Sequence, residues 1–214
     1  FGTFMLSDQA WMDASAGMGW SDNVFRRNAL FQNSQRSITL PVRTSGEADG
    51  KQYFASIGAG YDVADGAWSY GPYVRGRWVK TKVDGYAETD LSGSNLNLVV
   101  GSQKATSLTS VLGLRASYAA STGSGVILPQ VRIEYEHEFK DDPRTTFTRF
   151  ANDPRGNVTF GVTNDAPDRN YLNVGAGVVF VLPGGIMPFI DYEALLVYTT
   201  FARHRLTAGL RMEF

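Results

Sequence analysis

Along much of this chain apolar and polar residues alternate one by one. That is the period of a strand, whose successive side chains point to opposite faces. The last stretch, Arg203 to Phe214 (RHRLTAGLRMEF), alternates without a break. Leu206, Ala208, Leu210, Met212 and Phe214 share one face, and Arg205, Thr207, Gly209, Arg211 and Glu213 share the other. A tilted strand of about 9–11 residues crosses a bilayer. One face here suits lipid and the other suits water.

The same pattern recurs upstream. Phe1 to Leu6 reads as the tail of a strand. Ala10 to Trp20 sets Met12, Ala14, Ala16, Met18 and Trp20 against Trp11, Asp13, Ser15, Gly17 and Gly19. Gln52 to Val63 turns Tyr53, Ala55, Ile57, Ala59, Tyr61 and Val63 toward lipid and Ser56, Gly58, Gly60 and Asp62 toward a lumen. Trp68 to Tyr86 places Val74, Gly76 and Trp78 outward and Arg75 and Arg77 inward. Arg on the lipid face costs about 2–4 kcal/mol at the midplane, which fixes that orientation. Beyond Val79 the phase shifts, because Lys80, Lys82 and Asp84 share a face with Trp78; a bulge or emergence from the membrane would reconcile this.

Ser107 to Tyr118 has Leu108, Leu112, Leu114, Ala116 and Tyr118 outward and Arg115 inward. Pro129 to Phe139 opposes Val131, Ile133, Tyr135, His137 and Phe139 to Gln130, Arg132, Glu134, Glu136 and Glu138. Tyr171 to Leu182 turns Asn173, Gly175 and Gly177 inward, and Met187 to Tyr198 turns Asp191 and Glu193 inward. The count is about eight complete strands and a stub.

Short connections (7–9, 64–67, 121–126, 183–185) alternate with long ones (21–49, 88–104, 140–169). Residues 21–49 lose the alternation and read as a long loop, with Ile38 to Leu40 as a short strand or with two strands carried on beyond the membrane. Outer-membrane barrels have short periplasmic turns and longer extracellular loops. The predicted fold is therefore all-β, an antiparallel transmembrane β-barrel of the bacterial outer membrane. Its C-terminus is expected in the periplasm and its long loops outside. A chain of 214 residues fits one domain, 1–214.

Composition narrows the classes. A net charge of −1 carries no nucleic-acid footprint. No apolar run approaches the roughly 18 residues of a membrane helix. The absence of cysteine removes disulfides and thiolate metal sites. Metal-ligand clusters and phosphate-cradling Gly loops with a Lys are missing, so no cofactor is expected. Outward aromatics such as Trp20, Tyr61, Trp78, Tyr118, Tyr135 and Phe180 fall near strand ends, where interfacial girdles lie. A soluble sandwich would need a second layer to cover them. Phe1 is not an initiator Met, so the precursor is expected to extend upstream.

The expected lumen face carries Asp13, Asp62, Arg75, Arg77, Arg115, Arg132, Glu134, Glu136, Glu138, Asp191, Glu193 and Arg211, with Glu213 beside them. Two readings stay open. One is a hydrated channel that holds a segment through polar contacts; the other is a self-satisfying network of ion pairs. The carboxylate ladder Glu134 to Glu138 invites a catalytic reading, but alternate strand residues stand about 6.5–7 Å apart. The two histidines, His137 on the outward face and His204 at the start of the last strand, have no carboxylate at catalytic spacing. The domain is not expected to be an enzyme.

Thr207, Gly209, Leu210, Met212 and Phe214 resemble the C-terminal assembly signal of outer-membrane barrels: polar, any, Gly, two of any, hydrophobic, any, aromatic. Three blocks resemble the autotransporter β-domain, the translocator of type V secretion: Gly60 to Glu88, Leu128 to Phe139 and Tyr171 to Phe214. The resemblance implies a twelve-stranded barrel with a linker helix in its lumen and a passenger delivered to the cell surface. It also implies the barrel-assembly machinery, periplasmic chaperones and outer-membrane lipid and lipopolysaccharide as partners. Some family members cut the passenger inside the barrel with lumenal acidic residues. The region from Trp11 looks like the fifth strand of the family barrel, so four strands, the linker and the passenger are expected upstream. The alternative is a small structural or adhesive barrel; eight strands closed on themselves are filled by side chains and could not conduct a polypeptide.

Overall fold

The computed structural model describes residues 1–33, 39–156 and 158–213. Its strands are β1 (Gly2–Met5), β2 (Ala10–Gln32), β3 (Thr39–Tyr61), β4 (Val63–Asp65), β5 (Trp68–Val83), β6 (Tyr86–Ala87), β7 (Thr89–Asp90) and β8 (Leu98–Val100). They continue with β9 (Gln103–Tyr118), β10 (Ala120–Thr122), β11 (Gly125–Glu138), β12 (Thr145–Phe150), β13 (Thr159–Thr163), β14 (Asn170–Val181), β15 (Ile186–Leu196) and β16 (Arg203–Met212). No helix occurs among the described residues. The main antiparallel sheet runs β1-β2-β3-β5-β9-β11-β14-β15-β16 and curls into a half-barrel. β1 and β16 stand at its two ends and do not pair with each other.

The eight long strands and the β1 stub match the sequence reading, and so do their faces. Ile57, Val74, Leu112, Leu114, Val131 and Ile133 are exposed on the convex side. A continuous apolar surface of this kind marks contact with lipid or a partner. The concave side holds Trp11, Tyr73 and Val111 as a small buried cluster. Tight turns close the short connections; Gly184 and Gly185, at φ of +82° and +74°, take the left-handed backbone that favours glycine.

Residues 21–32 and 39–49 do not form a loop but follow the other reading, two strands carried on beyond the membrane. β2 and β3 pair residue for residue from Ala10↔Tyr61 to Gln32↔Thr39, so both strands run on far past the apolar belt. Beyond Trp20 the outward positions Asp22, Val24, Arg26 and Asn28 are mixed, which erases the periodic signal while the backbone ladder persists. Leu40 lies in β3; Ile38 is outside the described residues.

The other long connections are also built. A second sheet, β13-β12-β8-β6, draws its strands from the segments between β5 and β9 and between β11 and β14. Tyr86 stacks on Phe25 with ring centroids 4.7 Å apart and planes 3° from parallel. Its ring crosses Gly46, where a Cβ would sit 2.5 Å away. Arg27 forks onto Glu88 at 2.9 and 2.5 Å and donates to the Leu96 carbonyl at 2.8 Å. Burial pushes the Glu88 carboxyl up, yet the Arg27 and Leu98 N–H bonds outweigh it and hold it below its ordinary value. Asp90 accepts from the Ser92 and Asn95 amides and from the Ser92 and Ser94 hydroxyls, which hold its carboxyl down to about 2.

No bulge occurs at Lys80. Pairing on both sides of β5 is unbroken through Val83. The slip comes later: from Gly50↔Val83 to Ser45↔Thr89, β3 advances five residues while the other strand advances six. Lys80 and Lys82 therefore stay on the outward face, and the apolar belt of β5 stops at Trp78.

Candidate functional site

The candidate site is the polar concave face. Its side chains come from strand positions whose register puts three residues in a row, with a glycine in the middle. Asp13 on β2, Gly58 on β3 and Arg75 on β5 form one such row, and Arg75 Nη2 lies 3.1 Å from Asp13 Oδ1 above the glycine. A Cβ at Gly58 would stand 2.5 Å from that oxygen. Tyr73, Gly113 and Glu134 form a second row, in which the Tyr73 hydroxyl donates to Glu134 Oε1 at 2.6 Å. Arg132, Gly175 and Glu193 form a third, at 2.9 Å. Glycine in a strand interior commonly marks such close approach.

The ion pairs on this face form two isolated couples, Arg75 with Asp13 and Arg115 with Asp62, and one larger set joined through Asn173. Arg77 Nη1 meets Glu136 at 3.2 Å, and Arg77 Nη2 stands 3.9 Å from Glu134. Arg115 pairs with Asp62, and its guanidinium lies 4.7 Å from the Trp11 ring centroid. Arg132 bridges Asp191 and Glu193, each at 2.9 Å, and Glu193 also takes Arg203 at 3.2 Å and Arg205 at 2.9 Å. Asn173 donates to Glu136. Glu138 accepts from the Ser107 hydroxyl and from the Leu108 and Lys140 amides at 2.9 and 2.8 Å. Glu134, Glu136 and Glu138 are all buried, and each has its own structural donors. Buried carboxylates of this kind are stable when paired and hydrogen-bonded.

Eleven of the twelve predicted lumenal residues thus find ion-pair or hydrogen-bond partners on this face. Arg211 does not: it pairs with Glu213 on its own strand, 3.0 Å away and largely exposed. Sequence reasoning missed Tyr73 and Arg203 as lumenal groups, and it placed Arg205 on the water-facing side of the last strand without naming it among them. Tyr73 shares the parity of Arg75 and Arg77, and that parity was the available signal. Of the terminal motif, Leu210 and Met212 are exposed and Thr207 pairs across with Asp191. Gly209 lies under Phe189, whose Cζ would be 2.5 Å from an added Cβ; Phe214 is outside the described residues.

At one end of the concave face is a cavity of about 430 Å³, lined by Met5, Trp11, Asp13, Asp62, Arg75 and Arg115 among others. Trp11 Nε1 and Arg75 Nε beside it are buried without an acceptor. Both histidines lie away from this face: His137 Nδ1 is 2.8 Å from Asn170 Oδ1, and His204 Nδ1 is 2.7 Å from the Tyr192 hydroxyl.

The profile of a family described as Autotransporter beta-domain matches residues 1–193. A Pseudomonas putida protein described as an uncharacterized protein in the trpE-trpG intergenic region is 30% identical over 172 residues, 75% of this chain and 26% of that protein. Esterase EstA of Pseudomonas aeruginosa and Esterase EstA of Pseudomonas putida are each 29% identical over 138 residues, 62% of this chain and 19% of theirs. The chain thus spans about a fifth to a quarter of the length of these relatives.

Proposed function

The chain belongs to the autotransporter β-domain family, and from that membership, which implies a type V secretion translocator of the bacterial outer membrane, we propose that it anchors and exports a passenger encoded upstream. The observation that carries this reading is the concave face. It is polar, cross-braced by ion pairs and backed by an apolar convex surface, the division a membrane barrel with a wet lumen requires. The buried donors Trp11 Nε1 and Arg75 Nε, without acceptors of their own, would take carbonyl or carboxylate oxygens of a segment threaded through that lumen.

The domain's work is mechanical and not catalytic. Glu134, Glu136 and Glu138 are occupied by structural donors, and the activity named for the esterase relatives belongs to those proteins. The long connections stand outside the cell and the C-terminus in the periplasm. Barrel-assembly machinery recognises β16, with periplasmic chaperones delivering the chain to it.

The test is an epitope inserted ahead of Phe1 in the natural precursor and probed on intact cells. Antibody labelling before lysis is expected. An outer-membrane barrel whose epitope is labelled only after lysis would overturn the export reading.

A further inference from the structure

The sequence has five lysines, and four of them converge on one patch. Lys51 on β3 pairs across with Lys82 on β5, and Lys82 pairs across with Lys104 on β9. Lys80 lies one step below, opposite Tyr53 and Thr106. All four are exposed on the convex side. The arginines of β5 and β9, Arg75, Arg77 and Arg115, are on the concave side.

Like charges directly opposite on a sheet are destabilising, with Cβ atoms about 4.5–5.5 Å apart. Three ammonium groups in one cross-strand row are costly unless an anion joins them. Carboxylates of the protein supply little. The next row outward holds Asp22, Asp49 and Asp84, yet only Asp84 forms an ion pair with a lysine, Lys82 at 2.5 Å, while its charge also acts on Lys51. Among the described residues Lys51, Lys80 and Lys104 have no ion pair. The patch also sits at a defined height. Trp20 pairs across with Lys51, and Trp78 and Leu108 lie immediately below Lys80 and Thr106, at the upper limit of the apolar belt. Tryptophan marks the headgroup level of a membrane.

We propose that Lys51, Lys80, Lys82 and Lys104 form a binding site for the phosphate groups of a phosphorylated glycolipid in the outer leaflet. The site rests on the reading that the long connections stand outside the cell. Three or four ammonium groups at headgroup height match a phosphorylated sugar headgroup in charge and position. Acyl chains then lie along the apolar strip of Ile57, Val74 and Leu112 below. Each basic residue near an anionic lipid surface contributes several-fold to binding.

The experiment uses the protein extracted from outer membranes in mild detergent, with heat-modifiable migration as the check on folding. Wild type is compared with the quadruple Lys→Gln variant at 51, 80, 82 and 104 and with the matching Lys→Arg variant. Binding is measured to vesicles carrying lipopolysaccharide and to the same vesicles after enzymatic removal of its phosphates. The expected result is a loss of at least about tenfold for Lys→Gln and for dephosphorylated lipid, retention for Lys→Arg, and weakening by salt. Millimolar inorganic phosphate should not compete; full competition would mean a site for free phosphate and would overturn the lipid assignment. Equal binding by a folded Lys→Gln variant, or equal binding to dephosphorylated lipid, would show that the rows of Asp and Lys satisfy one another, and would sink the proposal. A separate arm tests the orientation beneath it: Leu91→Cys in this cysteine-free chain, treated with a membrane-impermeant maleimide on intact cells. Labelling only after lysis would overturn the orientation itself, and the site with it.

Discussion

Tyr73 and Glu134 are bonded at 2.6 Å although β9 lies between their strands, and they meet because Gly113 stands between them. A Cβ there would be 2.2 Å from Tyr73 Cζ, so even alanine forces a rigid ring to move and leaves a buried carboxylate without this donor. Gly113→Ala is expected to destabilise by about 1–3 kcal/mol. Tyr73→Phe, which removes only the hydroxyl, should cost about 1.5–3 kcal/mol. The urea midpoint for loss of heat-modifiable migration checks both. An unchanged midpoint for Gly113→Ala would contradict the row geometry.

Arg132 and Arg211 give a paired comparison. Both were expected on the lumen face, but only Arg132 joins the network, bridging Asp191 and Glu193. Arg132→Met should lower stability by about 1.5–3 kcal/mol, since it strips charge-assisted bonds from two partly buried carboxylates. Arg211→Met should change it by less than about 1 kcal/mol, as for exposed pairs generally. Equal effects in the same unfolding assay would mean that the concave network contributes nothing beyond surface pairing.

The connection from β6 to β8 should be acid-labile in a defined window. Glu88 and Asp90 are both held below their ordinary values, Asp90 at about 2. A carboxyl depressed in the folded state stabilises it above the unfolded value, and that stabilisation is lost as pH falls through the folded one. The segment from Glu88 to Leu98 should therefore stay ordered at pH 5 and loosen between about pH 4 and about pH 2. Hydrogen exchange across this segment measures it. Asp90→Ala should raise exchange at the amides of Ser92 and Asn95 already at neutral pH; identical exchange in the variant would refute the role given to Asp90.

The final strand offers an assembly prediction. Gly209 lies under the Phe189 ring, so a methyl group there opposes the β15–β16 contact. Gly209→Ala combined with Phe214→Ala is expected to reduce heat-modifiable protein in the outer membrane several-fold. Normal amounts of folded barrel in that fraction would rule out recognition through this motif.

Much of this was legible in the sequence, because one physical rule governs a membrane strand. Alternation placed Ile133 outward and Glu134 inward, and the cost of arginine in lipid fixed the faces of β5. Where lipid no longer imposes the rule, the signal fades. Asp22, Arg26 and Asn28 sit on a strand as regular as any other, but water faces them and no periodicity records it. β8 and β12 are short, and pairing between two loops far apart in sequence leaves no local trace. Nor did the sequence show which arginine meets which carboxylate. Arg203 and Arg205 share a face with Arg211, and only the pairing of β15 with β16 brings the first two to Glu193. Tyr73 was missed because only charged side chains were sought on the lumen face, although its parity placed it inside.

The glycine rows have a mechanical consequence. Backbone hydrogen bonds resist the separation of neighbouring strands, but they resist rolling of the sheet about the strand direction only weakly. Arg75 on Asp13, Tyr73 on Glu134 and Arg132 on Glu193 each span three strands on the inner side, like tie rods set across the planks of a hull. Opening the curve would stretch them and tightening it would compress them. The radius of the wall is thus held by side chains and its height by the backbone, so wall stiffness can be changed without altering a single strand pairing.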